Sequence, residues 1–164
     1  MAKKFGLFRL LDYVEETAVT VLLGTMVVVV FLQVIFRFIL KSSLPWSEEL
    51  ARYLMVWAVF IGASMGAKVG AHIGVEAFVK LLPQRIGRYA PVLAGLITAA
   101  FCVIMVGLSL QVVQKIQGSG QVSPAMLIPM YWAYLALPVG FSLMALRSIQ
   151  VVFEKLFLAR GSAQ

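Results

Sequence analysis

Cysteine is almost absent from this chain: Cys102 is the only one, so no intrachain disulfide can form. Histidine is as scarce, with His72 alone. A single histidine cannot make a bis-histidine haem, and one histidine with one cysteine cannot complete a zinc site. The sequence contains no glycine-rich phosphate loop and no nucleophile set beside a base. No cofactor, metal or catalytic set is therefore expected. Charge is also sparse, at 13% of residues where a soluble domain carries about a quarter. The middle of every long apolar run lacks Asp, Glu, Lys and His. A stand-alone ion-coupled pump needs such a group inside a span, and the glycine- and proline-broken helix pairs of midplane substrate sites are missing too. What is lacking points to an accessory or scaffold subunit.

What is present is hydrophobic residue, 62% of 164. That composition predicts an all-α integral membrane protein with four transmembrane helices forming a single membrane domain. The spans are expected over about 17–40, 47–67, 89–113 and 129–153. Residues 1–16 read as an amphipathic arm along the membrane surface, because Asp12, Glu15 and Glu16 interrupt the apolar residues there. The same acidic residues, with the length of the following run, favour an uncleaved first span over a secretion signal. Ten of the 14 Lys and Arg fall in the N-terminal arm, the 68–88 segment and the C-terminal end, and four on the opposite side. By the positive-inside rule both termini are expected in the cytoplasm. The net charge of +7 is then explained by orientation and anionic lipid, with no nucleic-acid partner.

Residues 45–83 hold the densest set of polar and small residues beside apolar sequence. Pro45 suits the opening of a helix, Ser47 is placed as its N-cap, and Glu48 and Glu49 fall in the first turn. Arg52 lies four residues after Glu48 and three after Glu49, so its guanidinium can reach either carboxylate. These charges either cap and anchor a helix end or form a salt bridge to another subunit. Arg37, at the end of the first span, either snorkels to the interface or pairs with Glu48 or Glu49 across the turn that precedes Trp46. Gly62, Gly66, Gly70 and Gly74 recur every four residues and place one helical face for close packing, within the chain or to a partner. A polar stripe of Lys68, His72, Glu76 and Lys80 predicts a cytoplasmic interfacial helix over about 68–82, which Pro83 ends. His72 reads most simply as a hydrogen-bonding residue at that surface. In the last span Pro138 with Gly140 predicts a kink.

The stretch W-S-E-E-L-A-R-Y-L from Trp46 to Leu54, then V-W-A-V-F-I-G-A and G-A-H-I-G-V-E, resembles the small membrane subunit of tripartite ATP-independent periplasmic (TRAP) transporters. The stretch S-P-A-M-L-I-P-M-Y-W-A-Y-L-A-L-P-V-G-F from Ser123 to Phe141 resembles the same family's final loop and last span. The resemblance implies a bacterial inner-membrane importer of organic acids of the C4-dicarboxylate or sialic acid class, driven by a sodium gradient. It implies two protein partners, a large membrane subunit that carries the substrate and ion sites and a soluble periplasmic binding protein. This chain would widen the static scaffold of the large subunit and perform no chemistry itself. Glu48, Glu49 and Arg52 would lie at the periplasmic end, the glycine face would be a helix contact, and His72 and Glu76 would lie at the cytoplasmic surface.

Another reading of the residues is a small proton-coupled exporter that works as a homo-oligomer. It requires a membrane-embedded carboxylate, for which Glu48 and Glu49 are the candidates.

Overall fold

The computed structural model describes residues 6–69 and 90–161. Gly70, His72, Gly74, Glu76 and nearly all of the expected interfacial helix lie outside the described residues. Within them are four helices long and apolar enough to cross a membrane. The protein is an all-α, multi-pass membrane protein.

Helix α1 runs from Gly6 to Phe38, so the arm expected over residues 1–16 and the first span form one helix from Gly6 onward. It stops where Lys41 adopts the left-handed conformation (φ 50°) and the Ser42 N–H returns to the Phe36 carbonyl at 3.0 Å. Helix α2 spans Pro45–Val69. Pro45 occupies the first helical turn as expected, but Ser47 does not cap it. Its hydroxyl donates back to the Leu44 carbonyl at 2.7 Å, and its side chain is buried. Helix α3 spans Ala90–Ser119, and Gly120 (φ 64°) follows it in the left-handed region that favours glycine.

The last span is divided. A single turn, α4, covers Tyr131–Tyr134, and α5 covers Ala136–Gly161. Pro138 has no N–H to return to the Tyr134 carbonyl, which is where the α-helical ladder would otherwise continue. The kink expected at Pro138 therefore takes the form of a break just before α5, and Pro138 sits in the first turn of the new helix, where an N–H is not required.

Helices α2 and α5 pack on each other, α1 lies along α2, and α3 lies along α5. The buried apolar positions are mostly small: Ala58, Ala99, Cys102, Ala136 and Ala145 are among them. Lipid tails are as apolar as leucine, so helices in a membrane gain from close van der Waals approach, which small residues permit. Cys102 fits its expected role as a small packed hydrophobe. Phe141 on α5 joins three helices, with edge-on contacts to Phe60 of α2 at 5.5 Å and to Phe101 of α3 at 6.3 Å.

Among the described residues, the glycines that pack closely inside the chain are not Gly62 and Gly66 of the regular series. A Cβ on Gly62 or Gly66 would meet nothing within 4 Å, so among the described residues neither position packs against another helix. A Cβ on Gly140 would lie 2.6 Å from Phe60 Cβ, and one on Gly95 would lie 2.5 Å from Val152 Cγ2. Gly140→Ala is expected to cost about 1–3 kcal/mol through overpacking. Gly66→Ala is expected to stay within about 1 kcal/mol of wild type, since only helix propensity changes. Thermal unfolding in detergent separates the two.

Candidate functional site

Polar side chains gather at the two ends of the bundle, and the two clusters differ in kind. The first lies where α2 begins and α3 gives way to α4. Glu49 stands in the first turns of α2 and is 8% exposed. Its Oε1 accepts a hydrogen bond from the Tyr53 hydroxyl one turn further on. Its Oε2 accepts from the backbone N–H groups of Ala125 at 3.0 Å and Met126 at 3.2 Å, which belong to the loop between α3 and α4. The carboxylate thus receives donors that no regular structure satisfies, and it fixes a loop 76 residues away.

That loop also holds itself. Val122 and Pro129 form an isolated antiparallel bridge, the Ser123 N–H donates to the Ile128 carbonyl at 2.8 Å, and the Met130 N–H donates to the Gln121 carbonyl at 3.0 Å. Ser123 is fully buried, and its hydroxyl accepts the Met126 N–H as well. At the tip, Leu127 takes a left-handed conformation (φ 55°) and is 74% exposed. A non-glycine residue persists there only when its surroundings determine it strongly.

Between the loop and α2 lies a cleft of about 510 Å³, lined by Pro45, Glu48, Arg52, Tyr53, Pro124 and Tyr134 among others. Glu48 and Arg52 are both exposed along it. No ion pair joins Arg37 or Arg52 to Glu48 or Glu49 among the described residues, although all four lie at this end. Trp57 closes the cluster from below, its indole N–H donating to the Trp132 carbonyl at 3.2 Å, and Trp132 stacks on Tyr131. Trp46 and Trp132 remain substantially exposed, as befits aromatic residues at a membrane interface.

The second cluster lies near the opposite end and had no counterpart in the reading of the sequence. Arg147 of α5 is 2% exposed and Glu15 of α1 is 3% exposed. The guanidinium grips Glu15 through Nε (3.1 Å to Oε2) and Nη2, reaches Asp12 Oδ1 at 2.9 Å, and donates through Nη1 to Gln150 Oε1 at 3.0 Å. Lys68 of α2 also pairs with Asp12, and the Ser64 hydroxyl donates to Glu15 Oε1 at 3.0 Å. Gln150 extends the chain of contacts to Glu154. Two carboxylates thus meet two cations, and three helices meet at one point. Forked guanidinium geometry suits such a site better than a single ammonium would.

Neither cluster has the form of a reaction centre. Both oxygens of Glu49 accept hydrogen bonds from groups they hold in place, and Asp12 and Glu15 are ion-paired. Among the described residues no three His, Cys, Asp or Glu side chains gather where one metal ion could bind.

The model for the DctQ component of tripartite ATP-independent periplasmic transporters matches residues 26–158, most of the chain. The chain belongs to this family. It is accordingly a permease subunit of a transporter and not an enzyme. A C4-dicarboxylate TRAP transporter small permease protein DctQ from Rhodobacter capsulatus is 29% identical over 177 aligned positions, covering 90% of this chain and 78% of that protein. A sialic acid TRAP transporter small permease protein SiaQ from Vibrio cholerae is 24% identical, covering 93% and 87%. An isethionate TRAP transporter permease protein DctMQ from Oleidesulfovibrio alaskensis is 27% identical over 109 residues, which is 66% of this chain but 17% of that longer protein.

Proposed function

We propose that this DctQ-family chain is the non-catalytic small membrane subunit of a sodium-driven importer of organic acids, of the C4-dicarboxylate or sialic acid class. It packs against a large membrane subunit and extends that subunit's static scaffold, while a periplasmic binding protein delivers the substrate. The observation that carries the reading is the family match over residues 26–158. The much longer DctMQ relative adds to it, because a small-subunit sequence there is part of one long permease chain. The outer faces of α1 and α3 support it physically. Val27, Val28 and Phe31 on one, and Leu93, Ile97 and Ile104 on the other, are exposed apolar residues suited to lipid or to another membrane protein.

The positive-inside count orients the Glu49 end toward the periplasm and the Arg147 end toward the cytoplasm of the bacterial inner membrane. On that orientation Glu48, Arg52 and the Leu127 loop are the parts of this subunit that the binding protein meets. Gly62 and Gly66, open among the described residues, supply a close contact to the large subunit.

The test is co-expression of the tagged chain with the large permease subunit, extraction in detergent, and uptake after reconstitution with the binding protein. A stoichiometric pair whose sodium-driven uptake requires both membrane subunits is the expected result. Full uptake without this chain, or a chain that purifies alone as a homo-oligomer and carries out proton-coupled efflux, would overturn it. Gly66→Leu is expected to leave the isolated chain folded and to lower recovery of the pair by roughly tenfold, the effect of about 1.4 kcal/mol lost at a helix contact.

A further inference from the structure

The buried ionic cluster distributes its charges by helix. Helix α1 brings both carboxylates, Asp12 and Glu15, whereas the cations come from α2 (Lys68) and α5 (Arg147). Each of these helices contributes charge of one sign to the cluster's ion pairs, so the pairs form only when the three are together. Arg147 lies seven residues before Glu154, the end of its span, hence about 10 Å in from that end at 1.5 Å per residue. Its guanidinium is almost wholly buried against protein and is not extended into solvent. Its hydrogen-bond and ion-pair partners outside α5, Glu15 and Asp12, are both on α1.

The spans also differ in how well they could stand alone. Helix α1 is the most apolar of the four, and α2 and α5 are the least apolar. The chain order places α1 first and α5 last. A charged residue in a weakly apolar span is opposed by hydrocarbon unless a partner of opposite charge is already there.

We propose that α1 is an insertion latch for α5. Asp12 and Glu15, held on the early bundle by Lys68 and Ser64, receive the Arg147 guanidinium and thereby make the last span stable across the membrane. The helix that begins the chain thus fixes the topology of the helix that ends it. This inference concerns the chain's own residues and stands whether or not the proposed importer reading holds.

The experiment uses the full chain with a C-terminal epitope tag in sealed membrane vesicles, with protease added to one side. In the wild type nearly all tags are expected on one side. In the Asp12→Asn/Glu15→Leu variant the share of tags on the native side is expected to fall at least about threefold, because Arg147 has lost its counter-charges. Adding Arg147→Leu to that variant is expected to restore the native side, since the charge that blocked insertion is gone. The exchange Glu15→Arg with Arg147→Glu is expected to recover it in part. Unchanged sidedness in the Asp12/Glu15 variant, with only a lower melting temperature, would overturn the latch and leave the cluster as packing of a finished bundle. Failure of Arg147→Leu to restore sidedness would overturn it equally.

Discussion

Arg147→Gln is expected to cost the protein about 3–5 kcal/mol, the range for breaking a buried ion pair by removing one partner. Glutamine leaves Glu15 buried with the Ser64 hydroxyl still donating to it, and leaves Asp12 with Lys68 as its counter-charge. The loss comes less from the attraction forfeited than from the carboxylate left behind in a site that excludes water. Arg147→Lys keeps the charge but cannot make the forked grip on Glu15 while also reaching Asp12 and Gln150, so a smaller but clear loss is expected. The double variant Glu15→Leu/Arg147→Leu is expected to be more stable than either single one, because well-packed apolar side chains often replace a buried ion pair without penalty. Thermal unfolding in detergent, run as a double-mutant cycle, should give a coupling of about 0.5–3 kcal/mol between Glu15 and Arg147. Additive single effects would mean that the two residues act on stability separately.

The four spans were legible because hydrocarbon thickness sets a length that the sequence displays directly. Their ends were less so. Residues 6–16 read as a surface arm because Asp12, Glu15 and Glu16 suggest water, and α1 nonetheless continues through them. The reason is a contact 132 residues away in sequence, to which periodicity is blind. The available signal was a pairing of oddities: two carboxylates three apart at one end of an apolar helix, and a lone arginine two turns inside another span at the same end. Glu49 is a similar case. Its place in the first turn of a helix, with Arg52 three residues on, invited a local explanation by dipole and ion pair, whereas its oxygens are taken by Tyr53 and by a distant loop. The glycines show the limit of spacing as a guide. A regular interval marks a helix face, but what lies against that face depends on the neighbours, and among the described residues close approach falls at Gly140 and Gly95 instead of Gly62 and Gly66.

Glu49→Ala is expected to free the loop at the far end of the molecule while leaving the four spans in place. The substitution removes the acceptor shared by the Ala125 and Met126 N–H groups, and Met126 keeps only the weaker alternative of the Ser123 hydroxyl. Amide exchange at Ala125 and Met126 is expected to accelerate on the order of tenfold or more, with little change along α3 and α5. Leu127 follows, because its left-handed backbone is sustained by the geometry that Glu49 and Ser123 impose. Glu49→Gln should fall between wild type and alanine: one oxygen remains to accept, but the amide group brings N–H donors toward N–H donors. Tyr53→Phe should have a smaller effect, since it removes the hydroxyl that orients the carboxylate and leaves both loop contacts available. Glu48→Ala is the control, because Glu48 is exposed and among the described residues no hydrogen bond or ion pair ties it to the loop. Were exchange at Ala125 unchanged in Glu49→Ala, the loop would be held by its own Ser123–Ile128 and Met130–Gln121 bonds, and Glu49 would serve only the first turns of α2. If exchange rises and substrate uptake by the two-subunit complex falls with it, the shape of this loop, and not the charge of Glu49, is what the transporter uses at this end.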